Sequence, residues 1–364
     1  MKLIHCADLH LDSKLSANLE REQAKKRRAE ILNTFVRMVE YAAEHEVTAI
    51  LIAGDMFDTK NITAQTRNTV LHAMEHHPEI TFYYLKGNHD QDNFIANLET
   101  IPNNLKLFGT EWTRYEVGNV VLSGIELCAD NAISTYTTLK LDMDRTNIVM
   151  MHGQEAESSA KDKAEIVNLK ELRNKGIDYL ALGHIHMPKR SELDGRGVYR
   201  YCGCLEGRGF DECGEHGFVL LEINETTGEI QDTFVPFASR VLYEIMADVT
   251  GCNSTSEMIE EVKRAIEQTD CGAKDLVKIR LTGAVDVECE KDADHVVAHF
   301  KDRFYFVKVY DETTLKVDIM DYMHDESLKG EFVRTVMNDT TLTEEDKVIV
   351  IRYGLQAIAG EEVE

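Results

Sequence analysis

The chain opens Lys2-Leu3-Ile4-His5-Cys6-Ala7-Asp8-Leu9-His10, and the order of residue types in this stretch decides how the rest is read. Lys2–Cys6 has the length and apolar content of a buried strand. Asp8 and His10 follow it directly, one residue apart. On extended backbone alternate side chains point the same way, so both would face one point beyond the carboxyl end of the strand.

Working outward, the same arrangement returns four times. Strands are predicted near Thr48–Ala53, Thr81–Leu85, Asn147–Met151 and Tyr179–Leu182, with a further one at Val120–Gly124. The first four run into Gly54-Asp55, Gly87-Asn88-His89-Asp90, His152-Gly153 and Gly183-His184-Ile185-His186. Between the first two strands, Glu20–His45 spaces Ala24, Ile31, Phe35, Met38, Val39 and Ala42 as the apolar stripe of an amphipathic helix. Met1 to about Phe237 therefore reads as an α/β layout, in which loops at strand carboxyl ends form the ligand crevice.

Seven candidate donors result: Asp8, His10, Asp55, Asn88, His152, His184 and His186. A mixed oxygen and nitrogen set suits Mn²⁺, Fe²⁺ or Zn²⁺ rather than Ca²⁺. Seven donors are too many for one tetrahedral ion and suit two ions sharing a carboxylate. Two cations roughly 3.5–4 Å apart can clamp the phosphoryl oxygens of an in-line displacement. Taken singly, each residue reads as a satisfied surface or core side chain. Gathered at successive strand ends, they would cost stability through desolvation and like-charge repulsion unless they serve a site. The adjoining glycines allow tight turns and close backbone approach.

The blocks DLH (8–10), GDMFD (54–58), GNHD (87–90), HG (152–153) and GHIH (183–186), in this order, resemble the five signature blocks of the calcineurin-like metallophosphoesterases. The opening HCADLHLDS, the AGDMFD, the GHIHMP and the GCLEGRGFDE of Gly203–Glu212 are similar to the SbcD-type DNA repair exonuclease family, strongly over about residues 1–235. This resemblance implies a β-sandwich flanked by helices (α/β/β/α), with a small α/β cap domain and C-terminal helices: residues 1–238, 239–322 and 323–364 in turn. It implies one ion held by Asp8, His10, Asp55 and His186 and a second by Asp55, Asn88, His152 and His184, with Asp55 bridging. It places His89 over the site, stabilising the transition state or protonating the leaving oxygen, with Asp90 orienting its ring; capping of a following helix is the alternative for Asp90. The cofactor implied is a pair of divalent ions, Mn²⁺ first and Fe²⁺ or Zn²⁺ as alternatives. The activity implied is 3′-to-5′ DNA exonuclease, with or without endonuclease activity. The partners implied are DNA, an SbcC-type ATPase whose coiled-coil base receives the C-terminal helices, and a second copy of the chain.

Beyond Pro236–Arg240 the pattern predicts strand 241–248, helix 254–268, strand 276–283, helix 291–299 and strand 304–310. Two tail helices follow, one capped by Ser327 and one over Glu344–Ala359 opened by Thr343 with Asp346 three residues on. The 364 residues, 43% apolar and 29% charged, exclude a disordered or fibrous chain. No run approaches 18 apolar residues and no charged segment leads into an apolar one at the start, so a cytoplasmic protein without a membrane span is expected. Eight cysteines without small-scaffold spacing read as free thiols; Cys202, Cys204 and Cys213 lack the paired spacing of zinc ribbons.

Charge sets the main tension. The net charge is −25; residues 1–240 carry 26 Lys and Arg against 37 Asp and Glu, and 241–364 carry 14 against 28. Such a chain repels polyanions, which suits a DNA enzyme that borrows a basic partner, or a stand-alone enzyme for nucleotides and small phosphodiesters. Arg208 is a candidate for a substrate phosphate, or for a salt bridge with Glu206, Asp211 or Glu212. Lys25-Lys26-Arg27-Arg28 reads as a solvated helix surface, and Phe304-Tyr305-Phe306 as a core strand whose rings, if exposed, could stack on a base.

Overall fold

Short apolar strands alternate with amphipathic helices through most of the chain, and a computed structural model shows how they pack. It describes residues 1–15, 19, 21–58, 62–90, 93–96, 98, 100–158, 165–286, 289–316 and 319–359. There are two compact units, Met1–Val241 and the part from Leu242 onward.

The first unit contains β1 (Lys2–Cys6), β2 (Ala49–Ala53), β3 (Thr81–Leu85), β4 (Leu105–Leu107), β5 (Thr113–Val117), β6 (Val120–Gly124) and β7 (Thr146–His152). It continues with β8 (Gln154–Ala156), β9 (Ile166–Asn168), β10 (Tyr179–Gly183), β11 (Lys189–Glu192), β12 (Val198–Tyr201), β13 (Gly217–Ile223) and β14 (Ile230–Pro236). Two six-stranded sheets form, ordered β14-β13-β1-β2-β3-β4 and β11-β12-β10-β7-β6-β5. In the first, β1 to β4 run parallel. In the second, β6, β7, β10 and β12 run parallel between antiparallel edges.

The period-2 alternation of the strands assigns each sheet two apolar faces. Ile4, Cys6, Ile50, Ile52 and Phe82 pack with Phe35, Met38, Val70 and Met74 of the helices Arg21–Glu44 and Ala64–His76. The alternate residues Leu3, Leu51, Ala53 and Leu85 meet Ile148, Met150, Tyr179 and Ala181 of the second sheet. The other face of that sheet, with Val149, Met151, Leu180 and Leu182, packs with Tyr136, Leu169 and Leu172 of the short helices Ser134–Thr138 and Leu169–Leu172. Helix, sheet, sheet, helix is the α/β/β/α layering that the family resemblance implied. Parallel pairing brings the candidate loops to common ends: Cys6 is in register with Ile52, and Gly183 with His152.

The basic run of the first long helix departs from expectation at one residue. Lys25 and Lys26 are exposed, but Arg27 is 1% exposed and its guanidinium lies 2.6 Å from the buried Glu206 carboxylate. Four consecutive helical residues span all sides of the helix, so one of them had to face the core; its charge is retained because Glu206 and the Gly207 carbonyl (2.9 Å) receive it.

In the second unit β15 (Leu242–Asp248), β16 (Leu276–Thr282) and β18 (Phe306–Asp311) form a parallel sheet, and β17 (Ala284–Asp286) pairs with β19 (Thr314–Lys316). The helices Thr255–Glu267 and Ala293–Phe300 bury Met258, Val262, Val296 and Phe300 with this sheet. Phe304 joins that core. The tail helices Leu328–Met337 and Glu344–Ala359 share a small cluster of Val333, Val336, Ile351 and Leu355. Thr343 and Asp346 cap the last helix reciprocally, at 3.1 and 3.4 Å. Ser327 adopts extended cap geometry without a side-chain cap bond; its hydroxyl donates to Asp325 instead. Among the described residues no helix is long and apolar enough to cross a membrane.

Candidate metal centre

The loops after β1, β2, β3, β7 and β10 meet. Asp8 N–H donates to the Gly54 carbonyl and His10 N–H to the Asp55 carbonyl, both at 3.0 Å, which joins the first loop to the second. The backbone is bent hard there: φ is +51° at Asp8, +44° at His10, +51° at Asp55 and +101° at His184. Left-handed conformations cost a non-glycine residue free energy, and they concentrate where function requires them. Gly54, at φ +95°, has no room for a Cβ, which would strike the His152 ring. One at Gly87 would strike the Asp55 carboxylate.

Three imidazoles are held in one way. His10 Nδ1 faces Asp58 Oδ1 (3.2 Å), His152 Nδ1 faces the Ala53 carbonyl (2.9 Å) and His186 Nδ1 faces Glu212 Oε1 (2.6 Å). Each of these partners is an acceptor, so Nδ1 carries the proton and Nε2 turns a lone pair inward. His10 Nε2 then lies 3.1 Å from His186 Nε2, and His152 Nε2 lies 3.0 Å from Asn88 Oδ1, itself 3.3 Å from His184 Nδ1. Asp55 Oδ2 stands between the two halves, 3.9 Å from His10 Nε2 and 3.4 Å from His152 Nε2. Asp8 receives the His184 backbone N–H at 2.9 and 3.0 Å. The structure thus brings all seven candidate donors together. Acceptors facing acceptors at such distances repel unless protons or cations lie between them, so the residues present fit a pair of divalent ions. Three groups have donor atoms mutually within 4.8 Å among the described residues: Asp8, His10, His186; Asp8, Asp55, His152; and His10, Asp58, His89.

The same crowding moves the acid–base balance. Burial opposes ionisation of Asp55, but hydrogen bonding to His152 and the charges of His152 and His10 hold it at about 2. Burial acts against a charged His152, and the Asp55 hydrogen bond with the charges of Asp55 and Asp8 prevails, taking it to about 9; the proton so held on Nε2 is the one a cation would have to displace to use that lone pair. Asp8 rises, through burial first, and burial lowers His10 and His184.

His89 is half exposed beside this set, its Nδ1 3.3 Å from Asp58 Oδ1. The expectation that Asp90 orients His89 is therefore corrected: the partner is Asp58. Asp90 instead receives the backbone N–H groups of Met56 (3.2 Å), Phe57 (2.9 Å) and Gly87 (3.0 Å). It ties the loop carrying Asp55 to the loop carrying Asn88, and burial pushes it up to about 6. The hydrogen bond to Asp58 raises His89. Burial opposes ionisation of Asp58, yet its hydrogen bonds to His10 and His89 hold it low.

Arg208 is both salt-bridged and close to the donors. It pairs with Glu212 at 3.0 Å and lies 3.8 Å from Asp58 and 3.2 Å from His186 Nδ1; Glu206 is occupied by Arg27. Asp58 is a neighbour of the site that the residue pattern left without a role, and Glu212 one that it offered only as a candidate salt-bridge partner of Arg208. Their signal was spacing alone, three residues after Asp55 and four after Arg208. Among the described residues no disulfide forms, and Cys204 is buried with Sγ 3.2 Å from His216 Nδ1. None joins a metal-compatible group among the described residues.

Residues 1–188 match the calcineurin-like phosphoesterase family. The chain belongs to that family. Enzymes of this family are hydrolases of phosphoester bonds, and a dinuclear metal site is typical of them. This phosphoesterase is 28% identical to the uncharacterized metallophosphoesterase YhaO of Bacillus subtilis over 279 residues, 72% of this chain and 67% of that one. It is 23% identical to the DNA double-strand break repair protein Mre11 of Sulfolobus acidocaldarius over 312 residues, 79% of this chain and 76% of that one. Among solved structures it is similar to a dimetal phosphatase from Danio rerio, at 10% identity and a TM-score of 0.41 over 65% of this chain and 99% of that one. It is also similar to TT1561 of Thermus thermophilus, at 12% identity and a TM-score of 0.43 over 64% of this chain and 98% of that one.

Proposed function

We propose that this phosphoesterase hydrolyses phosphodiester bonds at a dinuclear centre held by Asp8, His10, Asp55 and His186 on one side and Asp55, Asn88, His152 and His184 on the other, with DNA ends as its substrate. The observation that carries the metal reading is the inward aim of the His10, His152 and His186 Nε2 atoms around Asp8 and Asp55. When bound, two divalent cations supply an activated water and neutralise charge on the phosphoryl oxygens. The chain's residues do the rest. His89 presents its free edge to the leaving oxygen and delivers a proton, Asp58 fixes its ring, and Arg208 binds a non-bridging phosphate oxygen. The ion we propose is Mn²⁺, with Fe²⁺ or Zn²⁺ as alternatives, acting in 3′-to-5′ exonucleolysis with or without endonuclease activity in the cytoplasm.

DNA as substrate is supported by the likeness to Mre11 and by the sequence resemblance to SbcD-type exonucleases. On the same basis the unit after Leu242 is read as a cap followed by partner-binding helices. Val348, Ile349, Val350 and Tyr353 are exposed on Glu344–Ala359, which suits docking on an SbcC-type ATPase; a homodimer through the catalytic domain is the further assembly proposed. A second reading rests on the net charge of −25: a stand-alone enzyme for nucleotides or small phosphodiesters.

The test is Mn²⁺-stimulated, chelator-sensitive degradation of end-labelled single- and double-stranded DNA, run beside bis-(p-nitrophenyl) phosphate and p-nitrophenyl phosphate. Stepwise shortening from the 3′ end supports the exonuclease. Hydrolysis of the small esters with DNA left intact, even with the ATPase partner added, favours the second reading. No metal-dependent hydrolysis of any of them overturns both.

A further inference from the structure

The segment between β12 and β13, outside the five donor-bearing loops, holds one buried carboxylate with several obligations. Glu212 is 4% exposed. Its Oε1 lies 2.6 Å from His186 Nδ1 and 3.0 Å from Arg208 Nη2, and its Oε2 accepts the Arg208 backbone N–H at 2.7 Å. Arg208 Nη2 and His186 Nδ1 are 3.2 Å apart because both aim at the same oxygen. An unprotonated Nδ1 would set a lone pair against a carboxylate, so this contact selects the Nδ1–H tautomer and leaves Nε2 for a metal. Burial works against the charge on Glu212, but the His186 hydrogen bond and the Arg208 charge hold it at about 2.

The carboxylate is itself held in place. Its backbone carbonyl accepts His216 Nε2–H at 2.7 Å, His216 Nδ1 receives the Cys204 thiol at 3.2 Å, and Cys204 N–H donates to the His186 carbonyl at 3.0 Å. Arg27 anchors the near end through Glu206 and the Gly207 carbonyl. The ring that faces the metal and the guanidinium that faces the phosphate are therefore set by one rigid piece of chain.

We infer that Glu212 is a positioning residue that couples metal binding at the His186 half of the centre to phosphate binding by Arg208. This rests on the metal reading above. Glu212 touches neither ion nor substrate and acts through the two groups it aligns.

The experiment compares wild type, Glu212→Gln and Arg208→Ala by titrating chelator-stripped protein with Mn²⁺ in a calorimeter, and by separating kcat from KM for bis-(p-nitrophenyl) phosphate at saturating Mn²⁺. Loss of an outer partner of a metal-bound histidine weakens the ion by roughly 10- to 100-fold. Glu212→Gln should show that loss for one of the two ions and a raised KM as well. Arg208→Ala should raise KM or lower kcat with both ions bound as in wild type. Wild-type metal affinity and KM in Glu212→Gln would overturn the inference, as would an equal metal loss in Arg208→Ala, which would mean that loop rigidity alone matters. Wild-type protein that binds no pair of ions would instead overturn the metal reading. Should Glu212→Gln not accumulate, ring ¹⁵N spectra of metal-free wild type, with the His186 signals assigned by His186→Asn, decide the point: an Nδ1–H tautomer supports the inference and an Nε2–H tautomer overturns it.

Discussion

Asp90 and His89 are neighbours in sequence with opposite duties. His89 is half exposed at the centre against Asp58, whereas the Asp90 carboxylate is spent on three backbone N–H groups. Replacing His89 with Leu should leave metal content near that of wild type while turnover falls by roughly 10²-fold or more, the scale for loss of a general acid. Unchanged turnover, read on bis-(p-nitrophenyl) phosphate, would remove His89 from the mechanism. Asp90→Asn should instead appear as a loss of stability. An amide cannot accept at both positions that face N–H donors, so about 1–3 kcal/mol is expected from urea unfolding. Full stability with reduced turnover would return Asp90 to the side of His89. The identities of both residues were legible in the GNHD block, but which of the two points inward depends on chain direction after β3.

At the scale of elements, the long helix Arg21–Glu44 buries a residue that the pattern reads as solvated, and the two sheets enclose a polar group where it predicts only packing. The side chains of Arg27 and Glu206 are both buried, 1% and 0% exposed. Arg27→Met strands the Glu206 charge and should cost about 3–5 kcal/mol. Lys25→Met on the exposed side should stay within about 0.5 kcal/mol. Equal effects of the two in urea unfolding would show that the buried pair contributes nothing. Between the sheets, His5 is fully buried with Nδ1 2.9 Å from the Tyr179 hydroxyl, and burial with the Arg200 charge lowers it from 6.5 to about 3. Above pH 6.5 neither state holds that proton. As pH falls from 6.5 towards 3, the unfolded chain takes it up and the folded chain does not, so stability falls, with a slope approaching about 1.4 kcal/mol per pH unit. His5→Asn should remove that part of the acid dependence in urea titrations between pH 3.5 and 7; an unaltered slope would assign it to other groups.

For the whole molecule, charge and site pull in different directions. A net charge of −25 repels a phosphate backbone, so on the proposed DNA reading contact with DNA would come from bound cations, Arg208 and a partner. Cleavage of end-labelled DNA by the isolated chain is expected to weaken steeply between 50 and 200 mM salt, because log affinity falls linearly with log salt. Hydrolysis of bis-(p-nitrophenyl) phosphate should change little over the same range. Equal salt responses would show that extended phosphate contacts take no part in DNA cleavage.

The sequence by itself determined the α/β class, the strand–loop positions of Asp8, His10, Asp55, Asn88, His152, His184 and His186, and the cap of the last helix. Strand period and the polar residues that interrupt it are local properties, readable wherever the chain alternates. Only the tertiary structure decided that Arg27 faces inward to Glu206, that Asp58 rather than Asp90 holds His89, and that Glu212 holds both His186 and Arg208. These pairings are hydrogen bonds and ion pairs, and most join loops far apart in the chain. Their energy depends on distances of about 3 Å, and no local pattern encodes which of several nearby carboxylates will arrive there.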